Sequence, residues 1–259
     1  MLIGAAAFVG VLFATNAGII LWMLATGNDF RPQDAGDAFE KLALVAQYAN
    51  ERLAAAANNT RFPPLPELLA DQRSIQVGLI ATMFSQVAIF AIVGILSRQS
   101  FRELWRTLGM NRFSWRRLWV PVGTVFVAYV VTFLWITAME AIGVDLLIPQ
   151  STVPVEITRD DLTLSIAAAA TVVGAPISEE LFFRGFLFAG LLRWGFWPAA
   201  AISGMAFSVV HFDPGSLVPF FFLGVAMAWL YWRRGSLWDA IVFHFLFNFT
   251  SFTLLLVGT

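Results

Sequence analysis

Long apolar runs recur along this chain, near residues 2–26, 76–97, 118–143, 162–192, 196–212, 214–232 and 236–257. A bilayer hydrocarbon core about 30 Å thick is crossed by about 20 apolar residues of helix. Within it each backbone N–H and C=O needs a partner, which a helix provides inside its own segment. The runs therefore predict an all-α, polytopic transmembrane helical bundle with about seven spans. The composition agrees, with 59% hydrophobic and 13% charged residues and a mean hydropathy of +0.75. A multi-pass integral protein of the cell (plasma or inner) membrane is expected, with the lipid bilayer as its constant partner.

Charge placement sets the orientation. Between residues 98 and 117 stand six arginines, Arg98, Arg102, Arg106, Arg112, Arg116 and Arg117, against the single acid Glu103. Short loops rich in Arg and Lys stay in the cytoplasm, which makes this loop cytoplasmic and, by alternation, the N-terminus cytoplasmic as well. Segment 27–75, with five basic and seven acidic residues, then lies outside. Interleaved with Phe101, Trp105, Phe113 and Trp115, the arginine loop reads as an amphipathic helix resting on anionic headgroups. The outer segment contains a helix candidate, DAFEKLALVAQYANERLAAAANN, whose Phe39, Leu42, Val45, Tyr48 and Leu53 fall at roughly helical spacing, as a cap on the bundle. The first run lacks a basic n-region and a small-residue cleavage site, and is expected to be retained as a span.

The chain divides by content into residues 1–160, which hold the first three spans and the outer segment, and residues 161–259, which hold both histidines and the stretch SEELFFRG at residues 178–185. A net charge of -1 says nothing about nucleic acid, and with no basic tail or reader motif no nucleic-acid partner is expected. With no cysteine, thiol catalysis, disulfides and Cys-ligated metals are excluded too. Carboxylates and imidazoles are left to carry chemistry.

Ionisable groups at membrane depth are costly and tend to face the bundle interior in functional roles. In SEELFFRG, residues 178–185, Glu180 and Arg184 are four apart and share a helix face, the acid preceding the base in the better order. Glu179 is turned about 100° from that pair and has no local partner, which makes it the candidate working group. Gly185 leaves room for the close approach of another helix. His244 and Asn248 are likewise four apart, one able to accept a proton or ligate a metal, the other able to donate to developing negative charge. His211 follows Phe207 by one turn, so the ring can buttress the imidazole. The bland alternative is an ion-pair clasp with interhelical hydrogen bonds acting as glue. Two histidines and an unpartnered Glu on three separate helices favour a shared cavity instead.

Taken together, EExxxR (Glu179, Glu180, Arg184), FxxxH (Phe207, His211) and HxxxN (His244, Asn248) resemble the CPBP family of intramembrane endopeptidases, the CAAX-protease, Abi and bacteriocin-processing type. The resemblance covers about residues 162–255. It implies a CPBP-like catalytic helical core and a polar cavity within the membrane, open to the cytoplasm in the eukaryotic CAAX-processing members. It also implies a peptide or protein substrate that is membrane-proximal and, in the CAAX-processing members, lipidated.

By that resemblance Glu179 and His211 activate a water, His244 and Asn248 stabilise the tetrahedral oxyanion, and Glu180, Arg184 and Phe207 support the site. Two chemistries stay open. Glu179, His211 and His244 suit three positions of a catalytic zinc site, and they equally suit metal-free, glutamate-based general acid–base hydrolysis. Two non-proteolytic readings also stay open: a membrane scaffold or immunity protein that uses the polar cluster to bind a partner, and a proton-coupled transporter, the latter weakened by the lack of an inverted repeat.

Overall fold

A computed structural model describes residues 35–64, 71–151 and 153–258, with isolated helical positions between residues 10 and 26. The expected first span falls mostly outside these residues, as do residues 27–34 and 65–70 of the outer segment. The described residues form eight helices and no strand: α1 (Ala35–Ala57), α2 (Gln72–Ser97), α3 (Phe101–Thr107), α4 (Trp119–Ile142), α5 (Asp161–Trp194), α6 (Phe196–Val209), α7 (Leu217–Arg234) and α8 (Leu237–Val257). The chain is a helical membrane bundle.

Four of the helices, α2, α5, α8 and α4 with the turn before it, are long and apolar enough to cross a bilayer. The runs at 196–212 and 214–232 do not give two further full-length spans. Helix α6 has 14 residues, a rise of about 21 Å, well short of the hydrocarbon thickness. The chain turns at 210–216, where Phe212 takes a positive φ of 53° and Asp213 accepts hydrogen bonds from the backbone N–H groups of Gln150, Gly215 and Ser216. Helix α7 reaches 18 residues but ends on Arg233 and Arg234.

The long fourth run is one helix. Two π-helical stretches, Ala169–Gly174 and Leu181–Phe188, flank an α-helical piece Ala175–Glu180 that carries Pro176 and both glutamates. Asp160 starts α5 by accepting from Thr163 N–H at 2.8 Å and Thr163 Oγ1 at 2.7 Å, satisfying one of the amides left free at a helix start.

One apolar core, built around Val93, Leu108, Phe183, Phe188, Met227, Leu230 and Phe243, joins α2 and α5–α8 to the loop after α3. Gly204 of α6 and Gly224 of α7 form its tightest crossing, since a Cβ on Gly224 would lie 2.6 Å from the Gly204 Cα. Small residues here let the two backbones touch.

The arginine-rich segment begins with a capping box at Ser100 and Glu103 and exposes Phe101 and Trp115. It docks on the start of α8. Leu237 N–H donates to Leu108 O at 2.9 Å, and Trp238 Nε1–H donates to Met110 O at 2.8 Å. Gly185 does make room for a close neighbour, though not for another spanning helix: a Cβ there would meet the Leu108 side chain at 2.7 Å. In α1 the inward face is Val45, Tyr48, Arg52 and Ala55, whereas Phe39, Leu42 and Leu53 of the expected stripe are exposed. The apolar stripe is therefore rotated from the expected one, because Tyr48 and Arg52 face the bundle.

Candidate active site

Glu180 and Arg184 pair as their spacing requires, Arg184 Nη1 donating to Glu180 Oε1 at 3.0 Å, with both side chains fully buried. The same Glu180 oxygen lies 3.0 Å from His244 Nδ1 on α8. Arg184 Nη2 donates to Gly224 O at 3.2 Å, a reach that the Gly204–Gly224 crossing makes possible. The guanidinium also lies over the Phe207 ring at 4.6 Å. A buried charge of this kind is tolerated only with partners on several sides; α5, α6 and α7 each supply one to Arg184, while His244 of α8 partners Glu180.

Both histidines use Nδ1 against the protein. His211 Nδ1 lies 2.7 Å from Phe207 O; a carbonyl only accepts, so Nδ1 carries the hydrogen and Nε2 is left for the cavity. His244 presents Nδ1 to a carboxylate, which fixes the same orientation. Phe207 stands between them, its ring centroid 4.8 Å from His211 and 5.5 Å from His244. Phe220 closes the other side of His211 at 4.7 Å. The fit of Phe207 between the rings and the guanidinium gives its place one turn before His211 a geometric content.

Asn248 donates from Nδ2 to Thr171 O at 2.8 Å. The reason lies in the π-helical stretch. Ala175 N–H bonds Ala170 O, five residues back, and the next amide in that register would serve Thr171 O. That position is Pro176, which has no N–H, so the carbonyl is free for Asn248. One amide hydrogen of Asn248 is thereby committed and one remains.

His211, His244 and Asn248 line one enclosed cavity of about 20 Å³, walled by Phe207, Phe220, Phe243 and Phe247. A space of that size holds about one water. Glu179 is not among its lining residues, although its carboxylate is within electrostatic range of His211. Its Oε2 is buried without a hydrogen-bond partner.

The two histidine nitrogens and a free carboxylate oxygen are the donor types zinc takes. Among the described residues, however, no three His, Asp or Glu side chains are placed to hold a metal ion. The arrangement as it stands does not fit a three-ligand site.

Two larger cavities, each about 430 Å³, adjoin this one. The first includes His211, Phe212 and Asp213 and reaches Arg52 and Phe62 of the outer segment. The second includes Phe220, Phe247 and Asn248 and reaches Ser251 and Leu255. Gln150, Ser151 and Val153 line both. Sequence reasoning missed four participants: the Glu180–His244 contact, Thr171, Gly224 and Asp213. Only Asp213 had a local signal, an Asp-Pro-Gly-Ser turn ahead of α7; the other three depend on helices brought together by packing.

Residues 161–250 match the model of the family described as Rce1-like, type II CAAX prenyl endopeptidase Rce1-like. The chain is also 35% identical over 80 residues to the "Putative membrane peptidase YdiL" of Bacillus subtilis (strain 168), a match covering 30% of this chain and 32% of that protein. The chain thus matches about a third of that relative's length. No solved structure matches. The matched residues, 161–250, run from the start of α5 past Asn248 and so contain all three motifs. Through this segment, about a third of the chain, the protein is similar to the CAAX-protease type of membrane peptidase.

Proposed function

We propose that this protein is an intramembrane endopeptidase that hydrolyses a peptide bond in a membrane-associated or membrane-proximal polypeptide. The observation that carries this reading is the convergence of His211, His244 and Asn248 on a one-water cavity, with the unpartnered Glu179 oxygen close by.

In this mechanism the cavity water hydrogen-bonds to the His211 Nε2 lone pair, and the Glu179 carboxylate, turning in from beside the cavity, takes its proton. The resulting hydroxide adds to the substrate carbonyl carbon. The oxyanion so formed takes hydrogen bonds from the free amide N–H of Asn248 and from Nε2–H of protonated His244, donors set in place before reaction. The tetrahedral intermediate then expels the amine as the proton held by Glu179 passes to the leaving nitrogen, which restores the carboxylate. Glu180 positions His244 through Nδ1, and Arg184 balances Glu180.

The test compares peptide termini in membranes of host cells that express wild type or Glu179→Gln at equal levels. New termini only with wild type are expected; the same termini from both would overturn the reading. Adding a strong chelator to the purified wild type decides between the two chemistries. Retained cleavage is expected from a glutamate-based reaction, and loss restored by zinc would replace it with a metal-dependent one.

A further inference from the structure

The arginine-rich segment docks at the first turn of α8, through Leu237 and Trp238. The larger cavities meet the last turns of the same helix, at Leu254 and Leu255. Eighteen residues of helix separate Leu237 from Leu255, a rise of about 27 Å and nearly the thickness of the hydrocarbon core. The arginine segment and the cavity mouth therefore lie at opposite faces of the membrane. Arg193, at the end of α5, and Arg233 and Arg234, at the end of α7, fall with the arginine segment. At the mouth stand Glu156 and Asp213 with Arg52.

Because arginine-rich short loops are retained in the cytoplasm, we propose that the candidate active site opens to the non-cytoplasmic face. Its substrate is then an exported polypeptide, or the outer juxtamembrane stretch of a membrane protein. This goes beyond the peptidase reading, on which the word substrate rests, and it runs opposite to the cytoplasmic opening expected by resemblance to the eukaryotic members.

Helix α1 forms part of the entrance. Arg52 Nη2 donates to Phe212 O at 2.8 Å, directly after His211, and its guanidinium lies over the Phe62 ring at 4.2 Å. Ser151 lines both cavities, and Ser251, one turn beyond Asn248, lines the deeper one. Water reaching these two serines from outside traces the route to the site.

The chain has no cysteine, so single-cysteine variants of the full protein each report one position. Ser151→Cys, Ser251→Cys and, on the arginine segment, Gln99→Cys are treated in intact spheroplasts with a charged, membrane-impermeant maleimide. Parallel samples are treated after lysis and after denaturation. Thiols react as thiolates, in water and not in lipid. Ser151→Cys and Ser251→Cys are expected to label in intact spheroplasts to the extent reached after lysis, and Gln99→Cys only after lysis.

The reverse pattern would overturn the proposal, and so would cavity cysteines that label only after denaturation. Labelling does not depend on turnover, so the same scan in a Glu179→Gln background separates the two ideas. Outward labelling without any wild-type cleavage sinks the peptidase alone, and cleavage with inward labelling sinks the sidedness alone.

Discussion

Glu180 and His244, 64 residues apart in sequence, meet at 3.0 Å through Oε1 and Nδ1, and the same carboxylate oxygen holds Arg184. Replacing Glu180 with Gln leaves a fully buried guanidinium without its counter-charge. Breaking such a pair costs about 3–5 kcal/mol. Thermal unfolding in detergent is expected to show Glu180→Gln markedly below wild type, and Glu180→Gln combined with Arg184→Met partly recovered. Equal melting of the single variant and wild type would remove the ion pair from the account.

Glu179 predicts the opposite. Its Oε2 is buried without a partner, and removing a charge from such a place relieves desolvation. Glu179→Gln is therefore expected to melt at or above the wild-type temperature while cleavage is lost. A variant that melts several degrees lower would place Glu179 in the structural network with Glu180.

Gly224 tests the helix crossing. A methyl group there would sit 2.6 Å from the Gly204 Cα, backbone against backbone, and would also push back the carbonyl that Arg184 bonds. Gly224→Ala is expected to cost about 1–3 kcal/mol, read as a lower melting temperature. A substitution on the exposed face of α7, such as Phe222→Leu, should leave melting nearly unchanged.

The start of α5 predicts a dependence on pH. Asp160 is held below the usual aspartate range, first by the hydrogen bond from the Thr163 hydroxyl and then by the Thr163 N–H, with Gln76 adding a further bond. A carboxylate with a depressed native pKa adds stability above its unfolded value of about 3.9, and that stability fades as pH falls through the native value. Melting temperatures of wild type should fall more steeply than those of Asp160→Asn below about pH 4. Parallel curves would mean that the cap contributes no pH-dependent stability.

Several features were legible in the residues alone, because they depend on local spacing or on solvent preference. Apolar runs gave α2, α4, α5 and α8, since the length of a helix in lipid is set by bilayer thickness. The four-residue spacing of Glu180 and Arg184 foretold their pairing, because one turn of helix puts them on one face. The three motifs lie in the stretch, residues 161–250, that matches the Rce1-like family model. The arginine loop marked one membrane face.

Tertiary structure decided the rest. A 3.6-residue period cannot show that a stretch is wound as a π-helix, so the freed Thr171 carbonyl and its bond to Asn248 could not be read from the sequence. Nor could the early end of α6 at Val209, three residues before the apolar run itself stops. The contact of Glu180 with His244, the reach of Arg184 to Gly224 and the place of Arg52 beside His211 all join residues more than 39 positions apart. Such meetings follow from how whole helices pack, and side-chain chemistry alone does not say which buried partner a group will find.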